Sequence, residues 1–340
     1  MRAVTGLAVA KQTAAIKVQP ASAAVTFSRR NLLSLVIVLL TFALARGAMA
    51  AQAFIVVDAK TGHVLQESNS RQKRQVGSLT KIATAMVVLD WAEHRSGDLG
   101  QIATVPPEAF AGVQENIVGF QPGDSVELRD LLYAALVQSD NVAAYTLANH
   151  VGQALQGIVP SANPGNPVAT FVTQMNALAK TLKMDRTLFV NPHGIDAGVK
   201  PVPYSSAMDM ARLTRYALNK AGFRFYVSQK ERQISWTRAG KAQNYVLRNT
   251  NELLGQQGVD GVKTGRTARA GDCLVLSASR QSEVIKHGEN SATIIPRQLI
   301  IVLLGSGNRF AEGQQLLAQG WGWHEQWIAA GRLVDPKKVL

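Results

Sequence analysis

Segments with strand character stand at both ends of this chain, and nearly every helical pattern lies between them. Near the start, residues 54–58 and 63–67 flank a turn at Gly62, the signature of a β-hairpin. Toward the end, residues 233–236, 245–247, 261–265, 273–279 and 298–305 are short apolar or alternating runs. Helical periodicity fills about 78–94, 128–138, 142–150, 168–182 and 206–220, and one last helix covers about 309–330. The two ends must therefore meet in space. The expectation is an α+β fold: an antiparallel sheet closed by the first and last segments, with an all-helical subdomain inserted in the middle.

The first fifty residues read as a leader rather than as fold. Arg29 and Arg30 precede an apolar run at 31–44, and Ala48-Met49-Ala50 follows as a small-residue cleavage site. The run is short for a membrane span, which needs about 20 residues. The reading is an N-terminal extension and signal peptide over 1–50, the signal itself at about 29–50. One folded domain over 51–332 and a tail at 333–340 complete it, with no room after the last helix for a further domain or anchor. Such a chain is exported to the periplasm or cell envelope.

Cys273 is the single cysteine, so no intrachain disulfide can form in that oxidising setting. It stands inside an apolar strand pattern and reads as a small buried hydrophobe. The net charge of +13 favours anionic polymers and leaves room for peripheral association with membrane headgroups. No basic run is interleaved with aromatics, which argues against nucleic acid as a partner.

Three short words carry the chemistry: Ser78-Leu79-Thr80-Lys81, Ser139-Asp140-Asn141 and Lys263-Thr264-Gly265. An S-x-x-K arises about once by chance in a chain of this length, but the ordered set is far rarer. Ser78 and Lys81 fall on one helix face a turn apart. A serine hydroxyl needs a base, and lysine serves only if burial or a second cation lowers its pKa. Lys263 is the expected second cation. Ser139 is placed to relay a proton to a leaving amine, and Asn141 to hold Lys81 or a substrate amide. Asp140 reads as a helix cap. On its strand, Thr264 can donate to a carboxylate that Lys263 also attracts, and Gly265 lets a backbone approach closely. The N–H groups of Ser78 and Arg266 are the expected oxyanion donors.

Other hydrolase designs fit poorly. There is no G-x-S-x-G elbow, and of six histidines only His193, in an Asn191–Gly194 turn, looks placed. No H-E-x-x-H pair is present, and neither a metal nor a cofactor is called for.

With these words the chain resembles the low-molecular-mass, penicillin-binding D-alanyl-D-alanine peptidases of the serine β-lactamase and transpeptidase-like superfamily. The likeness extends to Asp58–Gly62, Asp130–Leu136, Phe189–Asp196, Tyr204–Ala207, Asn249–Leu254 and Asp260–Gly265. The resemblance implies a five-stranded antiparallel sheet flanked by helices, with the site between sheet and helical subdomain. It implies acylation of Ser78 by peptidoglycan stem peptides ending in D-Ala-D-Ala, release of the terminal D-Ala, hydrolysis, and covalent inhibition by β-lactams. A carboxypeptidase is the main expectation, and an endopeptidase that cuts crosslinks is the alternative. A wall-binding homologue without activity and a β-lactamase rank lower. Two departures stand out. Asp140 gives the second word its class A β-lactamase form, yet no Asp or Glu occurs between Asp140 and Asp185 to activate a deacylating water. Pro203 stands where the family often has a histidine.

Overall fold

The structure, a computed structural model, describes residues 50–340 apart from 96, 114, 162, 289 and 290. The expected leader at 1–49 lies outside the described residues.

Five strands form the main sheet: β1 (Ala53–Asp58), β2 (Val64–Ser68), β7 (Val259–Thr267), β8 (Gly271–Lys286) and β9 (Ala292–Ser306). Their order is β2-β1-β9-β8-β7, every neighbour antiparallel. The first strand pairs with the last, Ile55 opposite Val302, which closes the sheet across almost the whole chain. β9 is central, and its 299–304 stretch is buried on both faces. That is why it reads as an unbroken apolar run.

Alternation along these strands divides the interior into two cores. Ile55, Val57, Val275, Ile300 and Val302 face the large core shared with the helical lobe. Val56, Leu274, Leu276, Ile301 and Leu303 face the opposite side, beneath the C-terminal helix α7 (Arg309–Ala329) through Leu316, Leu317 and Trp321. A period of two sends successive side chains to opposite faces, so one strand serves both layers.

The lobe between β2 and β7 holds α1 (Lys81–His94), α2 (Leu128–Leu136), α3 (Asn141–Leu155), α4 (Pro167–Thr181), α5 (Ala207–Leu218) and α6 (Ala221–Val227). α1 is buried on nearly every side from Lys81 to Val88, as expected for the lobe's central helix. The expectation of an all-helical insert needs correction. A second sheet of order β3-β4-β5-β6 lies in it, built from Ile102–Thr104, Ser125–Glu127, Glu231–Arg238 and Lys241–Arg248. Its first two strands have three residues each, too short for an alternating pattern to register. Tertiary contacts hold it instead: Trp236 sits opposite Val126 with its ring 5.1 Å from that of Phe120, and the Arg238 guanidinium grips both oxygens of Asp124. Among the described residues no helix is long and apolar enough to cross a membrane.

Candidate active site

The three words converge where the helical lobe meets β7. Ser78 lies in a single 3-10 turn, Gly77–Thr80, that leads straight into α1 at Lys81. The sequence pattern suggests an α-helix from Ser78; the tighter turn follows from its neighbours. Gly77 has φ +52°, and an ideal Cβ on Gly265 of β7 would stand 2.6 Å from the Val76 carbonyl oxygen. Only a glycine lets the strand come this close. In a 3-10 turn residues i and i+3 eclipse, which brings the Lys81 ammonium over the serine.

Lys81 is fully buried and its Nζ donates three hydrogen bonds. Ser78 Oγ accepts at 2.9 Å, Asn141 Oδ1 at 2.7 Å and the His193 carbonyl at 3.1 Å. Burial brings its pKa down to about 7, against a smaller upward pull from Asp140. The expected cause was the Lys263 charge. The structure reverses the emphasis: desolvation dominates at Lys81, and the repulsion is felt at Lys263. Lys263 is itself buried, and its pKa is lowered well below the usual lysine range by burial first, then by Lys81 and Arg309.

The second word occupies the break between α2 and α3. Ser139 takes a left-handed backbone, φ +65°, which turns the chain between the two helices. Asp140 caps α3, its Oδ1 accepting from the Ala143 N–H at 2.7 Å. Burial pushes its carboxyl up, against the opposing pull of the Ala143 N–H and of the Lys81 charge. Asn141 is the member of the word that touches Lys81. Ser139 makes no side-chain hydrogen bond among the described residues.

The third word lies along β7. Lys263 Nζ donates to the Thr264 carbonyl at 3.1 Å, and Thr264 Oγ1 lies 2.6 Å from Thr250 Oγ1. An ideal Cβ on Gly77 would stand 3.1 Å from the Arg266 nitrogen, so the backbone at Ser78 adjoins that of Arg266. The Arg266 side chain points to solvent, 3.5 Å from Asp272.

The turn at Asn191–Gly194 contributes what side-chain reasoning misses. Asn191 Oδ1 accepts from the Gly194 N–H at 2.7 Å, and the Thr84 hydroxyl donates to the Pro192 carbonyl at 2.6 Å. The turn so held presents the His193 carbonyl to Lys81. The imidazole plays no such part: burial and the Lys81 charge press its pKa to about 3, leaving it neutral. A backbone carbonyl has no signature in sequence, so only the fold reveals this contact. Thr250 escaped for another reason: its hydroxyl partner, Thr264, lies fourteen positions away on β7.

Known proteins resemble this chain in sequence and in fold. A family model described as D-alanyl-D-alanine carboxypeptidase matches residues 41–286. D-alanyl-D-alanine carboxypeptidase DacC of Escherichia coli is 31% identical over 285 residues, covering 81% of this chain and 62% of that protein. A D-alanyl-D-alanine endopeptidase of Pseudomonas aeruginosa is 33% identical over 236 residues, covering 67% of each. The crystal structure of a Streptomyces DD-transpeptidase superposes with a TM-score of 0.68 at 26% identity, covering 81% of this chain and 98% of that one. The chain thus spans less than two thirds of the length of DacC. On its fold, its three words and the extent of the family match, this chain belongs to the D-alanyl-D-alanine carboxypeptidase family.

Proposed function

We propose that this chain is an exported serine carboxypeptidase that removes the terminal D-Ala from peptidoglycan stem peptides ending in D-Ala-D-Ala. One observation carries the reading: Lys81 Nζ stands 2.9 Å from Ser78 Oγ with its pKa brought to about 7. A base with that value is half neutral near pH 7, which suits it to take the serine proton.

In this mechanism neutral Lys81 accepts the proton from Ser78 Oγ, and the oxygen attacks the carbonyl of the penultimate D-Ala. The negative oxygen of the tetrahedral intermediate lies between the N–H groups of Ser78 and Arg266, each donor worth roughly 2.7–4 kcal/mol. The proton passes from Lys81 by way of Ser139 to the leaving amine, and the C–N bond breaks. Thr264 and Lys263 hold the carboxylate of the departing D-Ala. Water then attacks the ester, losing its proton to Lys81, and Ser78 regains its hydroxyl. β-Lactams enter the same acylation, and their ring-opened esters lack the fast class A β-lactamase route of hydrolysis, since no Asp or Glu lies between Asp140 and Asp185 to serve it.

Similarity to the Pseudomonas endopeptidase favours a second reading, cleavage of crosslinks by the same site. Muropeptides digested with the protein and separated by HPLC distinguish the two. Loss of monomeric pentapeptide supports the carboxypeptidase; disappearance of dimers with pentapeptide intact supports the endopeptidase. Fluorescent penicillin should label the protein and fail to label Ser78→Ala; labelling of that variant would refute the nucleophile. The leader is proposed to direct export, and N-terminal sequencing of the exported protein should find a start close to Ala51.

A further inference from the structure

We infer that Thr250 is a positioning residue that aims the Thr264 hydroxyl proton at the substrate's terminal carboxylate, and so sets selectivity for a free C-terminal acid. The inference rests on the carboxypeptidase reading and extends it to a residue outside the three words.

The argument is one of proton counting. The two threonine oxygens lie 2.6 Å apart, and either can be the donor. A hydroxyl has one proton to give and lone pairs to receive, so a single proton occupies the space between them. Among the described residues neither hydroxyl has another hydrogen-bond partner. A carboxylate is acceptor-only. When it arrives at Thr264, that hydroxyl must donate outward, and its lone pair is then free to accept from Thr250. The opposite arrangement, Thr264 donating to Thr250, would turn a lone pair toward a negative charge. Thr250 as inward donor therefore favours the binding arrangement, and the two bonds in series polarise each other.

Thr250 is held for this task. Its N–H donates to the Val137 carbonyl at 3.1 Å, tying it to the end of α2 just before Ser139. The flanking asparagines anchor the backbone on both sides. Asn249 Nδ2 donates to the Gln229 carbonyl at 2.9 Å, and Asn251 Nδ2 donates to the Gly261 carbonyl on β7 at 3.1 Å. The asparagines also bond to each other, the Asn251 N–H to Asn249 Oδ1 at 2.9 Å. These bonds hold the Thr250 backbone in place before substrate binds, so its hydroxyl starts from a fixed position opposite Thr264.

A terminal carboxamide offers an NH2 donor as well as an acceptor, so it can meet a Thr264 lone pair and does not need Thr250. The experiment compares one peptide ending in D-Ala-D-Ala as free acid and as carboxamide, using the unmodified protein, Thr250→Val and Thr250→Ser. Thr250→Val keeps the shape and removes the proton. It should raise KM for the acid up to about tenfold with kcat little changed, the scale of one net hydrogen bond held alike in ground and transition states. The acid-over-amide preference should fall by the same factor. Thr250→Ser should restore it. An unchanged preference in Thr250→Val, or a serine variant that behaves like the valine one, overturns the inference, because a packing role ignores the proton. If the unmodified protein cleaves neither peptide, the carboxypeptidase reading fails and takes the inference with it. If it cleaves the acid and the preference survives in Thr250→Val, the inference alone fails.

Discussion

The Lys81 ammonium lies 2.9 Å from the Ser78 hydroxyl at the junction of a 3-10 turn and a buried helix, and Asn141 holds it from the other side at 2.7 Å. In the proposed mechanism the charge state of this one lysine sets the rate of acylation, and burial governs that charge state. The fold places it where water is excluded.

Acylation by penicillin should therefore rise with pH through about 7 and then level off, following the neutral fraction of Lys81. Stopped-flow labelling across pH 5 to 10 measures it. An ordinary lysine value of 10.5 would place the rise more than three units higher. Asn141→Asp puts a carboxylate on the ammonium, favours its charged form and should shift the rise to higher pH. A profile that stays in place would remove Asn141 from the account of Lys81.

Stability should carry the same signature. Between about 7 and 10.5 the unfolded chain binds a proton that folded Lys81 releases, so stability should increase as pH rises through that window. Lys263, depressed in the same direction, adds to the slope. Lys81→Met should abolish labelling, raise Tm at pH 6 and flatten the slope without erasing it. Thermal melts of both proteins from pH 6 to 10 check this, and a lower Tm for the variant at pH 6 would contradict it.

Gly194 backs the nucleophile. Its φ is +89°, and a Cβ there would stand 2.0 Å from the Gly77 carbonyl oxygen, a backbone atom. Gly194→Ala should cost at least about 2 kcal/mol and slow acylation, since the turn carrying the His193 carbonyl must move. Urea titration gives the first number and labelling rates the second. An unchanged midpoint would mean that the turn yields freely.

Cys273 should be inert in the folded protein. It is fully buried between sheet and helical lobe, and burial pushes its thiol up to about 11. A chromogenic disulfide reagent should react with it only in denaturant. Fast reaction under native conditions would show that β8 opens locally.

The sequence foretells most of the long elements because each has a period of its own. The runs at 298–305 and 273–279 became the paired centre of the main sheet, β9 and β8. Of the second sheet only β5 and β6 showed, as the runs at 233–236 and 245–247. β3 and β4 are too brief to alternate visibly, and α6, at seven residues, follows α5 after a break too short to mark it off. The words Ser78-x-x-Lys81, Ser139-x-Asn141 and Lys263-Thr264-Gly265 were legible as residue types and spacings. The depressed Lys81 was also legible as a need, with burial and a second cation as its two possible causes, but not which of them dominates. Burial depends on every segment packed around α1, whereas Lys263 could be proposed because it belongs to a word.

By itself, then, the sequence determined the sheet that joins its two ends, the helical core and the chemical inventory of the site. Those follow from local periodicity and from side-chain types that few other chemistries combine. Only the tertiary structure decided that the His193 carbonyl steadies the base, that Gly77, Gly194 and Gly265 let three backbones crowd around Ser78, and that Thr250 faces Thr264. Those relations join residues from distant parts of the chain, often through backbone atoms that every residue has. No pattern in the sequence marks them.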